Sequence, residues 1–128
     1  MEDLASRHCV PCHGGVPHLV GEELWALADQ LPGWEVVEEH HLMKDYRFTN
    51  FRDALEFVNR VGEVAEREGH HPDIRFGWGY AHIQIWTHAI DGLSESDFIL
   101  AAKIDEAEKK HAMLSEGGDK AGRHTPGD

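Results

Sequence analysis

Basic residues are scarce in this sequence. Lysine and arginine together number 12, against 24 aspartates and glutamates, and the formal net charge is −12. A protein that binds nucleic acid directly needs clustered cations that displace counterions from the phosphates. The longest cationic stretch here is the pair Lys109-Lys110. We therefore expect no direct binding of nucleic acid.

Long apolar runs are also absent. No segment approaches the roughly 20 apolar residues that a membrane-spanning helix needs, and the opening Met1-Glu2-Asp3 is unlike the positively charged start of a signal peptide. We expect no membrane association and a cytoplasmic location. With 128 residues, of which 41% are hydrophobic, the chain is large enough for one folded domain with a single core.

Cysteine occurs only twice, at Cys9 and Cys12. A structural disulfide is not expected in a reducing cytoplasm. The run Cys9-Val10-Pro11-Cys12-His13 fits the pattern of covalent haem attachment. Haem of that kind is attached after export, however, and zinc would need two further ligands that no second C-x-x-C supplies. We expect no metal or haem here, and the thiols of this arm either pack or lie exposed.

The periodicity of apolar residues and the positions of turn residues predict seven elements in the order α-β-β-α-β-β-α. The helices are expected at 21–31, 50–68 and 94–111, and the strands at 34–38, 42–48, 73–76 and 80–87. Tight turns between successive strands favour antiparallel pairing. The predicted fold is therefore α+β, with a four-stranded, mostly antiparallel sheet and helices packed on one face. Residues 21–111 form the domain, 1–20 an extended N-terminal arm and 112–128 a flexible polar tail.

The central helix has defined ends. Asn50 can cap its first turn, and Asp53 lies three residues later in the capping-box position. Gly69 provides a break at the C-terminal end. Apolar residues recur at helical spacing between these ends, so this helix is the best candidate to lie across the sheet. They are Phe51, Leu55, Val58, Val61 and Ala65, with Phe57 and Val64 widening the stripe.

Three histidines are candidates for a functional site. His70 and His71 are adjacent and are stopped by Pro72, while His88 lies at the end of a predicted strand that leads back toward them. Histidine is the side chain that ordinarily titrates near neutral pH, so imidazoles that converge on one pocket are suited to proton transfer. The pair His40-His41 carries no such context and is expected in a loop.

The motif Glu66-x-x-x-His70-His71-Pro72, followed by His88 and Gly92-Leu93-Ser94-x-x-Asp97, resembles the signature of the pterin-4a-carbinolamine dehydratases. The 18 residues from His70 to His88 match that pattern, and the resemblance spans roughly residues 20–110. It implies a hydro-lyase that converts 4a-hydroxytetrahydropterin to quinonoid dihydropterin and water, without a metal or organic cofactor. This is the step of tetrahydrobiopterin recycling that follows an aromatic amino acid hydroxylase.

The resemblance also implies roles for individual residues. His70 and His88 would be the acid/base pair, and His71 would orient the ring and share in proton transfer. The implied substrate-binding residues are Glu66, Pro72, Trp86 and Asp97. Purely structural roles stay open for two of these residues. Asp97 can be a carboxylate that caps a helix, and Glu66 can be a solvated acidic residue on a helix. His82 and Trp86 either line the pocket or pack against a partner subunit.

Two other functions also stay open. The three histidines can be a zinc site, although adjacent histidines rarely bind one ion. Members of this fold family also serve as dimerisation cofactors of a transcription factor or as assembly factors for other enzymes, without catalysis. Family members form dimers by strand pairing and tetramers by helix packing, so we expect a homodimer or homotetramer here.

Overall fold

A computed structural model describes residues 4–9 and 17–117 of the chain, with side chains described up to Lys109. The predicted element order is confirmed. The helices are α1 (Gly21–Ala28), α2 (Phe51–Glu68) and α3 (Glu95–Gly117), and the strands are β1 (Glu35–Val37), β2 (His41–Arg47), β3 (Asp73–Gly77) and β4 (Tyr80–Ile85). None of the described helices is both long enough and apolar enough to cross a membrane.

The four strands form one sheet in the order β1-β2-β4-β3, and every neighbouring pair is antiparallel. The register places Leu42 opposite Ile85 and Ile74 opposite Ile83. Because side chains alternate between the two faces of a strand, one face of the sheet is apolar and buried. Its fully buried members include Leu42, Ala81, Ile83 and Ile85, and α2 and α3 complete this core. The predicted α+β fold with helices on one face is confirmed.

Both ends of α2 are built as the sequence predicts. The side-chain Oδ1 of Asn50 accepts a hydrogen bond of 2.8 Å from the backbone N–H of Asp53. At the other end, Gly69 adopts the left-handed conformation with φ of 65°. The predicted apolar stripe is confirmed in part: Phe57, Val61, Val64 and Ala65 are buried, whereas Phe51 and Leu55 are each 38% exposed. Ala54, which the predicted stripe left out, is also buried.

A partly buried polar cluster joins α3 to the sheet. The carboxylate of Asp105 accepts hydrogen bonds from Lys44 Nζ at 2.8 Å, Tyr46 Oη at 2.5 Å and Trp34 Nε1 at 3.1 Å. Lys44 interrupts the apolar alternation of β2 because its ammonium group reaches this carboxylate. Burial and the neighbouring Asp105 raise the pKa of Tyr46, so its hydroxyl stays a donor.

The ends of two elements differ from the prediction. β4 stops at Ile85 because Thr87 forms an isolated bridge with Gly92, which draws the chain out of the sheet. α3 continues to Gly117, six residues past its predicted end, so the expected polar tail begins inside a helix. Its remaining residues, 118–128, lie outside the described part.

The N-terminal arm is not simply extended. Residues Leu4–Ser6 form a turn of 3-10 helix that packs on α3, and Leu4 is buried. Cys9 carries a free, half-buried thiol. Cys12 and His13, the other members of the haem-like motif, lie outside the described residues.

Candidate functional site

An open cleft of about 450 Å³ lies between the segment that follows α2 and the segment that follows β4. A cleft of this size accommodates a small bicyclic ligand. The structure brings the three predicted histidines to this one cleft, together with Pro72 and Trp86. Its lining residues are Gly69, His70, His71, Pro72, Asp73, Trp86, Thr87 and His88.

Local sequence places the first wall of the cleft. Gly69 ends α2 in a left-handed conformation, and the N–H of His70 then donates to the carbonyl of Ala65 at 3.2 Å. Pro72 cannot continue a helix, and β3 begins at Asp73. The two histidines therefore occupy the short link between the end of a helix and the start of a strand.

The second wall is a tight loop after β4. Thr87 and Gly92 exchange backbone hydrogen bonds of 2.9 and 3.4 Å, and His88–Ile90 form a turn of 3-10 helix between them. Asp91 closes the loop in the left-handed region, with φ of 51°. This backbone arrangement places His88 at the rim of the cleft, where its side chain is exposed.

His70 is held by a buried carboxylate. Its Nε2 lies 2.5 Å from Oδ1 of Asp97, and the side chains are 13% and 0% exposed, respectively. A carboxylate accepts hydrogen bonds, so Nε2 carries the proton. In the neutral ring the lone pair is then on Nδ1, which leaves that atom able to accept a proton.

The second carboxylate oxygen of Asp97 caps the N-terminal end of α3. Oδ2 accepts hydrogen bonds of 2.8 Å from the backbone N–H of Ser94 and 2.8 Å from the hydroxyl of Thr87. The helix-cap interpretation of Asp97 is thus present in the structure, and the contact with His70 is present beside it. Because it is fully buried behind His70, Asp97 is not among the residues that line the cleft.

Sequence analysis missed Thr87. Its hydroxyl is buried, donates to Asp97 and lies 3.0 Å from the hydroxyl of Ser94. The prediction placed Thr87 at the end of the 80–87 strand, a position that gives no sign of a partner for its hydroxyl. Only the tertiary position of Asp97 gives the hydroxyl a partner.

His71 has a different environment from His70. Its Nε2 lies 2.7 Å from Oε2 of Glu66, and both side chains are well exposed, at 59% and 80%. Glu66 therefore contacts the second histidine of the pair, although it lies one helical turn before the first. It is not among the residues that line the cleft.

His88 stacks on Trp86. The ring centroids are 4.4 Å apart and the planes meet at 17°, so the indole fixes the orientation of the imidazole. His40 and His41 pack on the same indole, with centroid distances of 5.5 and 5.9 Å. Sequence analysis expected these two in a loop, but His41 begins β2 and only His40 belongs to the turn.

The hairpin is also joined to the loop that carries His88. Nε2 of His40 lies 2.9 Å from Oδ1 of Asp91, and its Nδ1 lies 3.1 Å from Nδ1 of His41. Burial, followed by the proximity of His40, lowers the pKa of His41 and favours its neutral form. A neutral ring packs against Trp86 without a desolvated charge.

The structure also shows where His82 lies relative to the cleft. His82 lies on the open face of the sheet, with its Nδ1 2.7 Å from Oδ1 of Asp45, and is not among the residues that line the cleft.

Within residues 4–9 and 17–109, no three His, Cys, Asp or Glu side chains are grouped so that they could hold a metal ion. The three cleft histidines therefore lack the convergence that a zinc site needs.

Comparison with known sequences gives a consistent result. The sequence model of the family described as Pterin 4 alpha carbinolamine dehydratase matches residues 17–107. A protein from Rubrobacter xylanophilus is 68% identical over 105 residues, which cover 82% of this chain and 98% of the relative. A protein from Alkaliphilus metalliredigens is 45% identical over 111 residues, covering 86% of this chain and 100% of the relative. Both are provisionally named as pterin-4-alpha-carbinolamine dehydratases.

Solved structures share the fold. A transcriptional coactivator/pterin dehydratase from Brucella melitensis superposes with a TM-score of 0.66 at 24% identity, over 70% of this chain and 97% of that one. A pterin dehydratase-like RuBisCO assembly factor of the alpha-carboxysome gives a TM-score of 0.52 at 25% identity, over 59% and 88%. The match over residues 17–107 and the nearly complete coverage of the two sequence relatives lead to one conclusion: this chain belongs to the pterin-4-alpha-carbinolamine dehydratase family.

Proposed function

We propose that this protein dehydrates 4a-hydroxytetrahydropterin to quinonoid dihydropterin and water by general acid/base catalysis in the cleft of His70, His71 and His88. The observation that supports this proposal most strongly is the hydrogen bond between His70 and Asp97. A partly buried imidazole that donates to a fully buried carboxylate, beside two further imidazoles in one cleft, is suited to moving protons.

The reaction requires two proton movements. One proton leaves N5 of the pterin, and its electron pair forms the double bond between N5 and C4a. The bond from C4a to the hydroxyl oxygen breaks, and that oxygen takes up a proton to leave as water. A positioned base and a positioned acid each accelerate such a step by about 10²–10⁴-fold.

His70 fits the task of a base that then becomes an acid. Its Nε2 proton is engaged by Asp97, so the neutral ring accepts a proton at Nδ1. The buried carboxylate then stabilises the imidazolium and holds the ring in one tautomer. Asp97 acts through His70 in this proposal, as a positioning residue.

His88 is the second member of the acid/base pair, and its stack on Trp86 aims the ring from the opposite wall of the cleft. His71 binds and orients the pterin, with its own ring fixed by Glu66. Pro72 and Trp86 line the same cleft and contact the bicyclic ring. No metal or organic cofactor takes part in this chemistry, which consists of proton transfers and the loss of water.

Histidine variants test the proposal. We expect His70→Ala and His88→Ala each to lower the turnover of 4a-hydroxytetrahydropterin by at least ~10²-fold while the protein stays folded. His82→Ala is the matched control, because this histidine belongs to the same sheet but contacts Asp45 outside the cleft. Wild-type rates in both cleft variants would refute the assignment, as would an equal loss in the control.

The family to which the chain belongs suggests a biological setting. We propose that the protein acts in the cytoplasm in tetrahydropterin recycling, where an aromatic amino acid hydroxylase generates the hydroxylated pterin. The alternative is a non-enzymatic assembly or transcriptional role on the same fold, as in the alpha-carboxysome assembly factor. Such a role does not require the His70–Asp97 pair. Folded wild-type protein without dehydratase activity would favour it.

A further inference from the structure

The N-terminal residues 4–9 cross the ends of both helices that build the His70–Asp97 pair. Leu4 is only 2% exposed and anchors the segment on α3, where Nζ of Lys103 donates to the carbonyl of Ala5 at 2.8 Å. We call residues 4–9 the strap. The family match begins at residue 17, so it assigns no role to the strap.

The strap is fastened to the last residue of α2. Oε1 of Glu68 accepts the backbone N–H of Cys9 at 2.9 Å, and Oε2 lies 3.2 Å from Nδ1 of His8. The Glu68 side chain is only 3% exposed, and Nζ of Lys103 lies 3.6 Å from it. Burial alone would raise the pKa of Glu68, but the contacts with Cys9, His8 and Lys103 outweigh burial and hold the pKa below its ordinary value.

The strap is also fastened to the first turn of α3. The thiol of Cys9 donates to the carbonyl of Ser96 at 3.4 Å, and Arg7 forms an ion pair with Glu95. Ser96 directly precedes Asp97. Burial, then the nearby carboxylates of Glu68 and Asp97, raise the pKa of the Cys9 thiol to about 12. The Cys9 thiol is therefore neutral where it contacts Ser96, next to Asp97.

These contacts join two chain segments whose separation sets the geometry of the site. His70 lies two residues after Glu68, and Asp97 lies one residue after Ser96. A shift of α2 relative to α3 changes the distance between Nε2 of His70 and Oδ1 of Asp97 directly. A misplacement of about 1 Å in a catalytic group is enough to cost up to about 10²-fold in rate.

We propose that the strap positions the His70–Asp97 pair by tying the C-terminal end of α2 to the N-terminal end of α3, with Glu68 as the positioning residue. The effect of the strap on catalysis rests on the proposed function of the cleft. The effect of the strap on the environment of the His70 ring does not depend on that function.

The test compares Glu68→Gln with Glu63→Gln. Both variants remove one negative charge from α2, but Glu63 is exposed and only shares the lining of a groove with Ala5 of the strap. Two quantities are measured: the nitrogen-15 chemical shifts of the His70 ring, which report its tautomer and its hydrogen bond to Asp97, and kcat and KM for the pterin. Glu68→Gln should change these chemical shifts and lower kcat by about tenfold with little change in KM. Glu63→Gln should leave both near the wild-type values.

The outcomes separate the strap from the function. Unchanged chemical shifts of the His70 ring and an unchanged kcat in folded Glu68→Gln would overturn the positioning role, even if the protein is a dehydratase. Changed chemical shifts of this ring in a protein without dehydratase activity would support the positioning role and contradict the proposed function. If Glu68→Gln does not fold, Leu4→Ala loosens the strap without a change of charge. The same change in the chemical shifts of His70 is expected there, and its absence would equally overturn the proposal.

Discussion

Nε2 of His70 lies 2.5 Å from Oδ1 of Asp97, although the two residues are 27 positions apart in the sequence. The same carboxylate caps the start of α3 through its other oxygen. One carboxylate therefore both caps a helix and sets the tautomer of the His70 imidazole.

Asp97→Asn separates these two roles. The amide retains an oxygen for the backbone N–H of Ser94, but it cannot stabilise an imidazolium at His70 as a carboxylate does. We expect kcat/KM to fall by about 10²–10⁴-fold, as for other histidines that lose a carboxylate partner. Unfolding in urea should show a smaller effect, with about 1–3 kcal/mol lost from the disturbed buried hydrogen bonds. A folded variant with wild-type kcat/KM would contradict the role of Asp97.

Trp86→Leu tests the orientation of His88. The change keeps an apolar side chain but removes the ring on which the imidazole stacks. A stacked pair of this kind is worth about 0.5–1.5 kcal/mol, so a rate loss of about 2- to 10-fold is expected. Trp78→Leu is the matched control because Trp78 is 55% exposed and lies at the β3–β4 turn. Steady-state kinetics that show equal rates for the two variants would argue against stacking as the device that aims His88.

Cys9 gives a prediction that depends on pH. Its pKa rises from 9.0 to about 12 in the folded protein, so its stabilising contribution is complete below pH 9 and is lost as the pH rises toward 12. At pH 8 the thiolate fraction of Cys9 is therefore well below that of a free thiol. In a Cys12→Ser background, alkylation of native protein by iodoacetamide should be at least about tenfold slower than in urea. Equal alkylation rates in the two states would show that the strap does not hold this thiol.

The oligomeric state is the fourth prediction. Phe51 and Leu55 remain exposed on the outer side of α2, and β1 and β3 are both edge strands. Self-association can cover apolar side chains on a helix and pair an open strand edge. Light scattering at micromolar concentration should give twice or four times the chain mass of 14.4 kDa. A strictly monomeric mass at that concentration would contradict this expectation.

Local sequence was sufficient for most of the fold. The Asn50 cap, the Gly69 break and the alternation of Ala81, Ile83 and Ile85 act within a few residues, so the elements could be predicted from them. The ends of β4 and α3 could not. The end of β4 depends on the bridge between Thr87 and Gly92, which no local pattern predicts.

The sequence was enough to predict which histidines lie in the candidate site. It was not enough to predict the hydrogen bonds that hold them. The predicted strand before His88 and the resemblance to the family motif indicated that His70, His71 and His88 belong together, and they line one cleft. The hydrogen bond from Thr87 to Asp97 joins groups that no periodic pattern connects. The same holds for the strap, since the contact of Cys9 with Glu68 spans 59 residues.

The central claim is that the cleft of His70, His71 and His88 turns over a pterin carbinolamine. Its most direct test is the rate at which 4a-hydroxytetrahydropterin, generated in situ by a hydroxylase, loses water with and without catalytic amounts of the wild-type protein. The account predicts many turnovers per protein molecule at a rate well above that of spontaneous dehydration. A rate equal to the spontaneous one, with protein that is demonstrably folded, would contradict it.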